Sequence, residues 1–247
     1  MDLREIELLE AKYLNKYYHF LKYAEDEMMI GFRTKEVIKD DWYQYYKSGI
    51  SDFAVGAERI VYALLNGKGI GQPNSCPVGS DLFFEVEDAY IHIDLKTVQT
   101  DNIGDYTSHI FVGENQNSYK GFMSVKNEAD RPYVPHLPPM YNEGKANEKI
   151  CLTYFITILY ERDNLNILCI SIVCMPNGKL WDVYGKSVLK PGKNPGKTRF
   201  NFSAVENFSL LHNKKRVKVI YFDESMKQEY LDKLGFYHRI YIGQQND

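Results

Sequence analysis

Two uncharged apolar runs, Ile150–Tyr160 (ICLTYFITILY) and Asn166–Met175 (NILCISIVCM), constrain the fold of this chain more than any other feature. Both are rich in Ile, Leu, Tyr and Cys, and Asp163-Asn164 between them supplies turn chemistry. Runs of this composition bounded by turn residues read as central strands of a buried sheet. Pro176-Asn177-Gly178 makes a further turn, which the sequence continues into a strand over 179–184, with a last strand over 217–222. The expected fold is α/β (α+β in detail), a mixed sheet of about five strands flanked by helices.

At 247 residues the chain is expected to form one domain over 1–247, with 1–50 a helical N-terminal region available for dimerisation. Hydrophobic residues make up 44% and charged residues 26%, ordinary for a soluble chain with a sizeable core. No apolar run approaches a membrane span, and the charged start Met-Asp-Leu-Arg-Glu-Ile-Glu has no secretory core, so a cytoplasmic protein without a membrane partner is expected. Of Cys76, Cys151, Cys169 and Cys174, the last three lie in strand-like runs. Their spacings match no zinc pattern, and buried thiols are the simple reading. A net charge of −3 counts against a non-specific nucleic-acid coat but leaves room for a local basic cleft.

Chemistry concentrates in residues 80–97, two short strands joined by a tight turn. In the second, Ile91, Ile93 and Leu95 alternate with Tyr90, His92, Asp94 and Lys96, so a carboxylate and an ammonium stand side by side on an otherwise apolar strand. The first strand begins at Asp81, and a hairpin can bring Asp81 near Asp94. Two carboxylates with a lysine can hold Mg²⁺, and a metal there lowers the pKa of a bound water and neutralises charge on a phosphodiester. The lysine can orient that water and stabilise developing charge. The plain alternative is a surface hairpin with a weak Asp94–Lys96 ion pair. His92 shares the strand face but has no partner ligands in sequence, so a structural role is expected for it.

Helices are expected over 3–32, with Ile6, Leu9, Tyr13, Leu14 and Tyr17 at helical spacing, and over 34–48, the charges of both being read as solvated faces. A third is expected over 51–66, capped by Ser51 and ended by Gly67, with Phe53, Ala57, Ile60, Val61 and Leu64 as its apolar stripe. Residues 67–79 form a Gly/Pro loop without phosphate-loop spacing, and 131–147, with four prolines, an irregular excursion. A helix over 224–235, closed by Gly235, is expected near the end. Residues 185–199 hold Lys186, Lys190, Lys193, Lys197 and Arg199 with no acid among them and two Pro-Gly pairs. A flexible basic loop of this kind can follow a phosphate backbone and place Asn194, Thr198 or Arg199 at base edges. Residues 213–218 add a smaller basic cluster.

An aspartate, eleven residues, and then Ile93-Asp94-Leu95-Lys96-Thr97 in a hairpin resembles the signature of the PD-(D/E)xK nuclease superfamily, with Pro77 four residues ahead of Asp81. The order of parts looks like that of type II restriction endonucleases of the EcoRV-like branch. The resemblance implies a restriction-endonuclease-like core and Mg²⁺-dependent hydrolysis of double-stranded DNA at a short, palindromic sequence, leaving 5′-phosphate ends, within a restriction-modification system. It implies Asp81 and Asp94 as metal ligands, joined by the backbone carbonyl of Leu95, and Lys96 as the residue that positions water. Many such nucleases carry a further glutamate on the helix before the hairpin, and Glu58 is the candidate for catalytic and metal-site duty. The resemblance also implies DNA contacts from Gln72 and Asn74, from Tyr106, Thr107 and Ser108, and from Lys190, Lys193, Asn194, Lys197, Thr198 and Arg199. One such centre per chain acting on a two-fold site implies a homodimer. A repair or junction-resolving nuclease of the same fold, a non-catalytic nucleic-acid-binding module, and an interaction protein with no nucleic-acid role are the alternatives.

Overall fold

A computed structural model describes residues 1–37, 53–67, 72–73, 81–162, 164–192 and 197–245. The expected segment 34–48, the Ser51 cap, most of the Gly/Pro loop and the turn residue Asp163 therefore lie wholly or largely outside the described residues.

Helix α1, Leu3–Tyr23, begins at a reciprocal cap. The Asp2 side chain accepts from the Glu5 N–H at 2.7 Å, and the Glu5 carboxylate accepts from the Asp2 N–H at 2.7 Å. The single helix expected over 3–32 is divided at Ala24, and α2, Glu25–Val37, opens on Glu25, Asp26 and Glu27, which suit the positive end of a helix dipole. Helix α3, Phe53–Gly67, buries Ala57, Val61 and Leu65.

The central sheet runs β1 (Gln72–Pro73), β2 (Leu82–Glu85), β3 (Ala89–Gln99), β8 (Lys149–Tyr160), β9 (Ile167–Met175) and β12 (Val217–Phe222), with β7 (Met140–Tyr141) also pairing β8. Since β1 and β7 hold two residues each, the body is the five-strand mixed sheet that the sequence predicts. β2 and β3 form the antiparallel hairpin, and β8 and β9 are the two apolar runs, with every residue of β9 buried. β3 and β8 lie parallel in register from Ala89↔Ile150 to Gln99↔Tyr160, which requires the long crossover through 100–148. Burial of both faces explains why β8 and β9 read as continuous apolar runs rather than as alternating ones.

Two smaller sheets lie beyond this one. β5 (Gly121–Met123) pairs with β6 (Arg131–Tyr133), so the excursion over 131–147 holds two short strands. β10 (Leu189–Pro191), β11 (Thr198–Phe200) and β4 (Ile110–Val112) form a three-stranded sheet. The basic segment is thus not a free loop: strands occupy both its flanks, and Lys193 and Asn194 fall outside the described residues.

Three expectations are corrected. Residues 179–184 are helical, with a 3-10 turn at Gly178–Leu180 leading into α4, Trp181–Tyr184, because the Asn177 side chain accepts from the Lys179 N–H at 2.9 Å and starts a helix. Gly178 is required there, since a Cβ would run into the carbonyl oxygen of Ser118. The helix expected over 224–235 is shorter, α5 at Gln228–Lys233 ending at Leu234, and a further helix, α6, runs Gly235–Gln245, because Gly235 does not adopt the positive φ that would turn the chain out of helix. The charges of α1 are also not all solvated. Glu7 and Glu10 are fully buried against Arg216, which removes Arg216 from the basic cluster expected over 213–218.

Candidate active site

The hairpin register builds the centre. Leu82 pairs with Ile93 and Phe83 with His92, so the next step outward sets Asp81 across from Asp94. The Asp81 carboxylate accepts from the Leu95 N–H at 2.6 Å, which ties the start of β2 to the middle of β3, just beyond their paired residues. Asp94 is 2% exposed and ion-paired with Lys96. Burial pushes its carboxyl up to about 7, against the pull of Lys96, and the charges of Asp81 and Glu58 push the same way. Glu58, half-buried on α3, has its own carboxyl raised by burial and by Asp81, with Lys96 opposing. Asp81, Asp94, Lys96 and Glu58 therefore share one electrostatic site.

A side chain that the sequence did not single out completes the arrangement. Gln116 donates from Nε2 to Asp94 Oδ1 at 2.8 Å, and its Oε1 accepts from Lys96 Nζ at 3.2 Å and from the Gly113 N–H at 2.8 Å. Gln116 sits in the polar stretch after β3, where nothing in its spacing sets it apart from neighbouring amides. Lys96 Nζ also lies 5.7 Å from the ring centres of Phe111 and Phe155. His92 is buried, with Nε2 3.0 Å from the Tyr141 hydroxyl, and burial pulls its pKa down to about 3. It packs the base of the hairpin in the neutral form.

A cleft of about 590 Å³ opens beside Lys96, lined among others by Asp105, Phe111, Lys197 and Arg199. Its wall is the small sheet, whose register sets Lys190, Arg199 and Phe111 in one row across β10, β11 and β4. Arg199 pairs with Asp105 at 2.9 Å, and Lys197 Nζ lies 5.0 Å from the Phe111 ring centre. The basic segment has no acid of its own, but among the described residues the fold supplies Asp105 for Arg199 and Asp130 for Lys186.

The remaining expected DNA contacts divide. Lys190 and Lys197 are exposed, and Thr107 and Ser108 are half-buried, with Ser108 Oγ 2.8 Å from His109 Nδ1. Tyr106 is corrected: it is fully buried, donates its hydroxyl to the Cys169 carbonyl at 3.2 Å and packs on Tyr237, so its side chain supports the core. Thr198 is 5% exposed, because its strand position faces inward beside Val112. Gln72 lies on β1, and Asn74 falls outside the described residues.

Glu58, Asp81 and Asp94 offer hard oxygen donors of the kind that suit Mg²⁺. Crowding three carboxylates around one lysine, with Asp94 raised to about 7, creates a need for positive charge that a divalent cation fits. Among the described residues no group of three or more His, Cys, Asp or Glu already stands in metal-holding geometry, and Asp94 is engaged by Lys96 and Gln116. No described helix is long and apolar enough to cross a membrane.

No curated protein matches the chain. Among solved structures it is similar to the restriction endonuclease BglI bound to its DNA recognition sequence, with a TM-score of 0.68 and 15% identity over 90% of this chain and 92% of that one. It is likewise similar to the tetrameric restriction endonuclease SfiI bound to cognate DNA, with a TM-score of 0.69 and 13% identity over 92% of this chain and 88% of that one. At such identities the likeness establishes the fold. The family model of the type II restriction enzyme MwoI, N-terminal domain, matches residues 2–164, and that of its central domain matches 167–222. The join between the two falls in the turn between β8 and β9, neighbours in one sheet. With the first model alone covering more than half of the chain, the protein belongs to the MwoI family of type II restriction enzymes.

Proposed function

We propose that this restriction endonuclease hydrolyses double-stranded DNA in a Mg²⁺-dependent reaction at a short palindromic sequence, leaving 5′-phosphate and 3′-hydroxyl ends, as part of a restriction-modification system. The observation that carries the reading is the convergence of Asp81, Asp94 and Lys96 at the mouth of a basic cleft. Asp81, Asp94 and the Leu95 carbonyl would hold the metal, with Glu58 beside them. When bound, Mg²⁺ lowers the pKa of a coordinated water and neutralises charge on the scissile phosphate. Lys96 orients the attacking water and offsets charge that develops on the phosphate. Arg199, Lys190 and Lys197 track the DNA backbone along the cleft. Family membership favours this over a repair or junction-resolving nuclease and over a binding module. One centre per chain supports a homodimer that cuts both strands of a two-fold site.

The test is incubation of the purified protein with long mixed-sequence duplex DNA in Mg²⁺, in Ca²⁺ and without metal, beside Lys96→Ala and Asp94→Asn. Discrete fragments that need Mg²⁺ and both residues are expected, and sequencing their ends gives the site, cut position and end chemistry. Cutting that survives Lys96→Ala and Asp94→Asn would remove the catalytic assignment. Sedimentation at the mass of a monomer, with and without DNA, would remove the dimer.

A further inference from the structure

Asp94 and Lys96 are gripped from outside their hairpin by Gln116, whose amide bonds to both and to the Gly113 N–H. The match is chemically one-way. A carboxylate only accepts, an ammonium only donates, and a primary amide offers one face of each kind, so a single orientation of Gln116 serves both. Glutamate has the reach but cannot donate to Asp94 when ionised, and methionine has the length but neither function.

The turn that carries Gln116 is itself held. Asn117, fully buried, donates to the Gly113 carbonyl at 3.0 Å and to the Tyr133 hydroxyl at 2.7 Å, and Tyr133 donates to the same carbonyl at 2.9 Å. The turn follows directly from β4, whose Phe111 pairs with Arg199 on the cleft wall. Gln116 therefore projects from a fixed frame.

We propose that Gln116 is a positioning residue of the nuclease centre: it holds Lys96 and Asp94 in the orientation from which Lys96 addresses the attacking water and Asp94 presents a defined oxygen to the metal. This rests on the catalytic reading of Asp94 and Lys96 above. Outer partners that orient ligands of this kind are worth about 10- to 100-fold in activity.

The test measures single-turnover cleavage in Mg²⁺, DNA affinity in Ca²⁺ and thermal melting for the wild-type protein, Gln116→Met and Gln116→Glu. Expected is a fall in cleavage rate of about 10- to 100-fold for Gln116→Met, with DNA affinity within about twofold and melting unchanged. Gln116→Glu, which keeps the acceptor for Lys96 and Gly113 but lacks the donor to Asp94, is expected to be slowed without loss of affinity. A Gln116→Met enzyme that cuts at the wild-type rate overturns the proposal, and so does a loss of affinity that matches the loss of rate, which would mark a binding or structural role. If Gln116→Met does not melt cooperatively, Gln116→Glu decides: wild-type cleavage overturns the proposal, and slowed cleavage with normal melting and affinity supports it. A wild-type protein without Mg²⁺- and Lys96-dependent cutting would take down the catalytic reading and this inference together, whereas normal cutting by both variants takes down only the inference.

Discussion

Replacing Arg216 with methionine should cost more stability than any exposed charge change, because Arg216 is the buried cation of a cluster with two buried carboxylates. Its Nη2 lies 2.8 Å from Glu10 and 3.2 Å from Glu7, Nε and Nη2 donate to the Tyr184 hydroxyl at 3.1 and 2.9 Å, and the guanidinium stacks 4.2 Å from the Phe208 ring centre. Glu7 also accepts from the Leu210 N–H at 2.7 Å, and Glu10 from the Asn177 N–H at 2.7 Å. These bonds clip α1 to the start of β12 and to the turn before α4. Breaking such a pair from one side costs about 3–5 kcal/mol. A second route sets an upper limit of similar size: a carboxyl forced to fold in its neutral form at pH 7 costs at most about 4 kcal/mol relative to one with an ordinary pKa. Burial already raises the Glu10 carboxyl, with Arg216 opposing, so loss of Arg216 raises it further. A carboxyl whose folded pKa lies above its unfolded value favours folding least at high pH. The deficit of Arg216→Met against wild type should therefore be largest at pH 7 and smaller at pH 5. Urea unfolding at the two pH values and at one protein concentration measures this, and at about 2–4 °C per kcal/mol the neutral-pH deficit corresponds to about 6–20 °C in Tm. Adding Glu10→Gln should recover part of the loss, because the amide oxygen still accepts from Asn177. A deficit under about 1 kcal/mol at pH 7, or one equal at both pH values, would refute the charge-burial explanation.

Three other outcomes are expected. Lys197→Ala should weaken DNA binding about equally for all sequences and lower the log–log salt slope by about 1, measured by titration at several salt concentrations; an unchanged slope would place Lys197 away from phosphate. Tyr106→Phe should lose about 1 kcal/mol of stability through its buried hydroxyl while leaving DNA affinity intact, and an affinity loss without a stability loss would return Tyr106 to the DNA contacts. Gly178→Ala should lower Tm by several degrees because its Cβ meets the Ser118 carbonyl, and wild-type melting would show that this turn can give way.

The sequence by itself determined the parts whose signal is local and periodic. Alternation along Tyr90–Lys96, with Asp81 one hairpin away, put two carboxylates and a lysine together where the β2–β3 pairing ends, and hairpin register needs nothing from elsewhere in the chain. The runs over 150–160 and 166–175 are apolar at every turn of the pleat because both their faces are covered, so the central strands were readable too. Tertiary structure alone decided which polar groups meet. Glu7 and Glu10 look like solvated helix charges until Arg216, some two hundred positions away, is brought onto them. Gln116 looks like a loop amide until β4 swings its turn against Asp94 and Lys96. Tyr106 and Thr198 resemble DNA contacts in composition but face the core, while Phe111 reaches the cleft from a strand too short to show its period. Apolar periodicity reports which face of one element is buried, but it carries no record of which distant residue will arrive to pair with a charge or an amide, and that choice is made only when the elements pack.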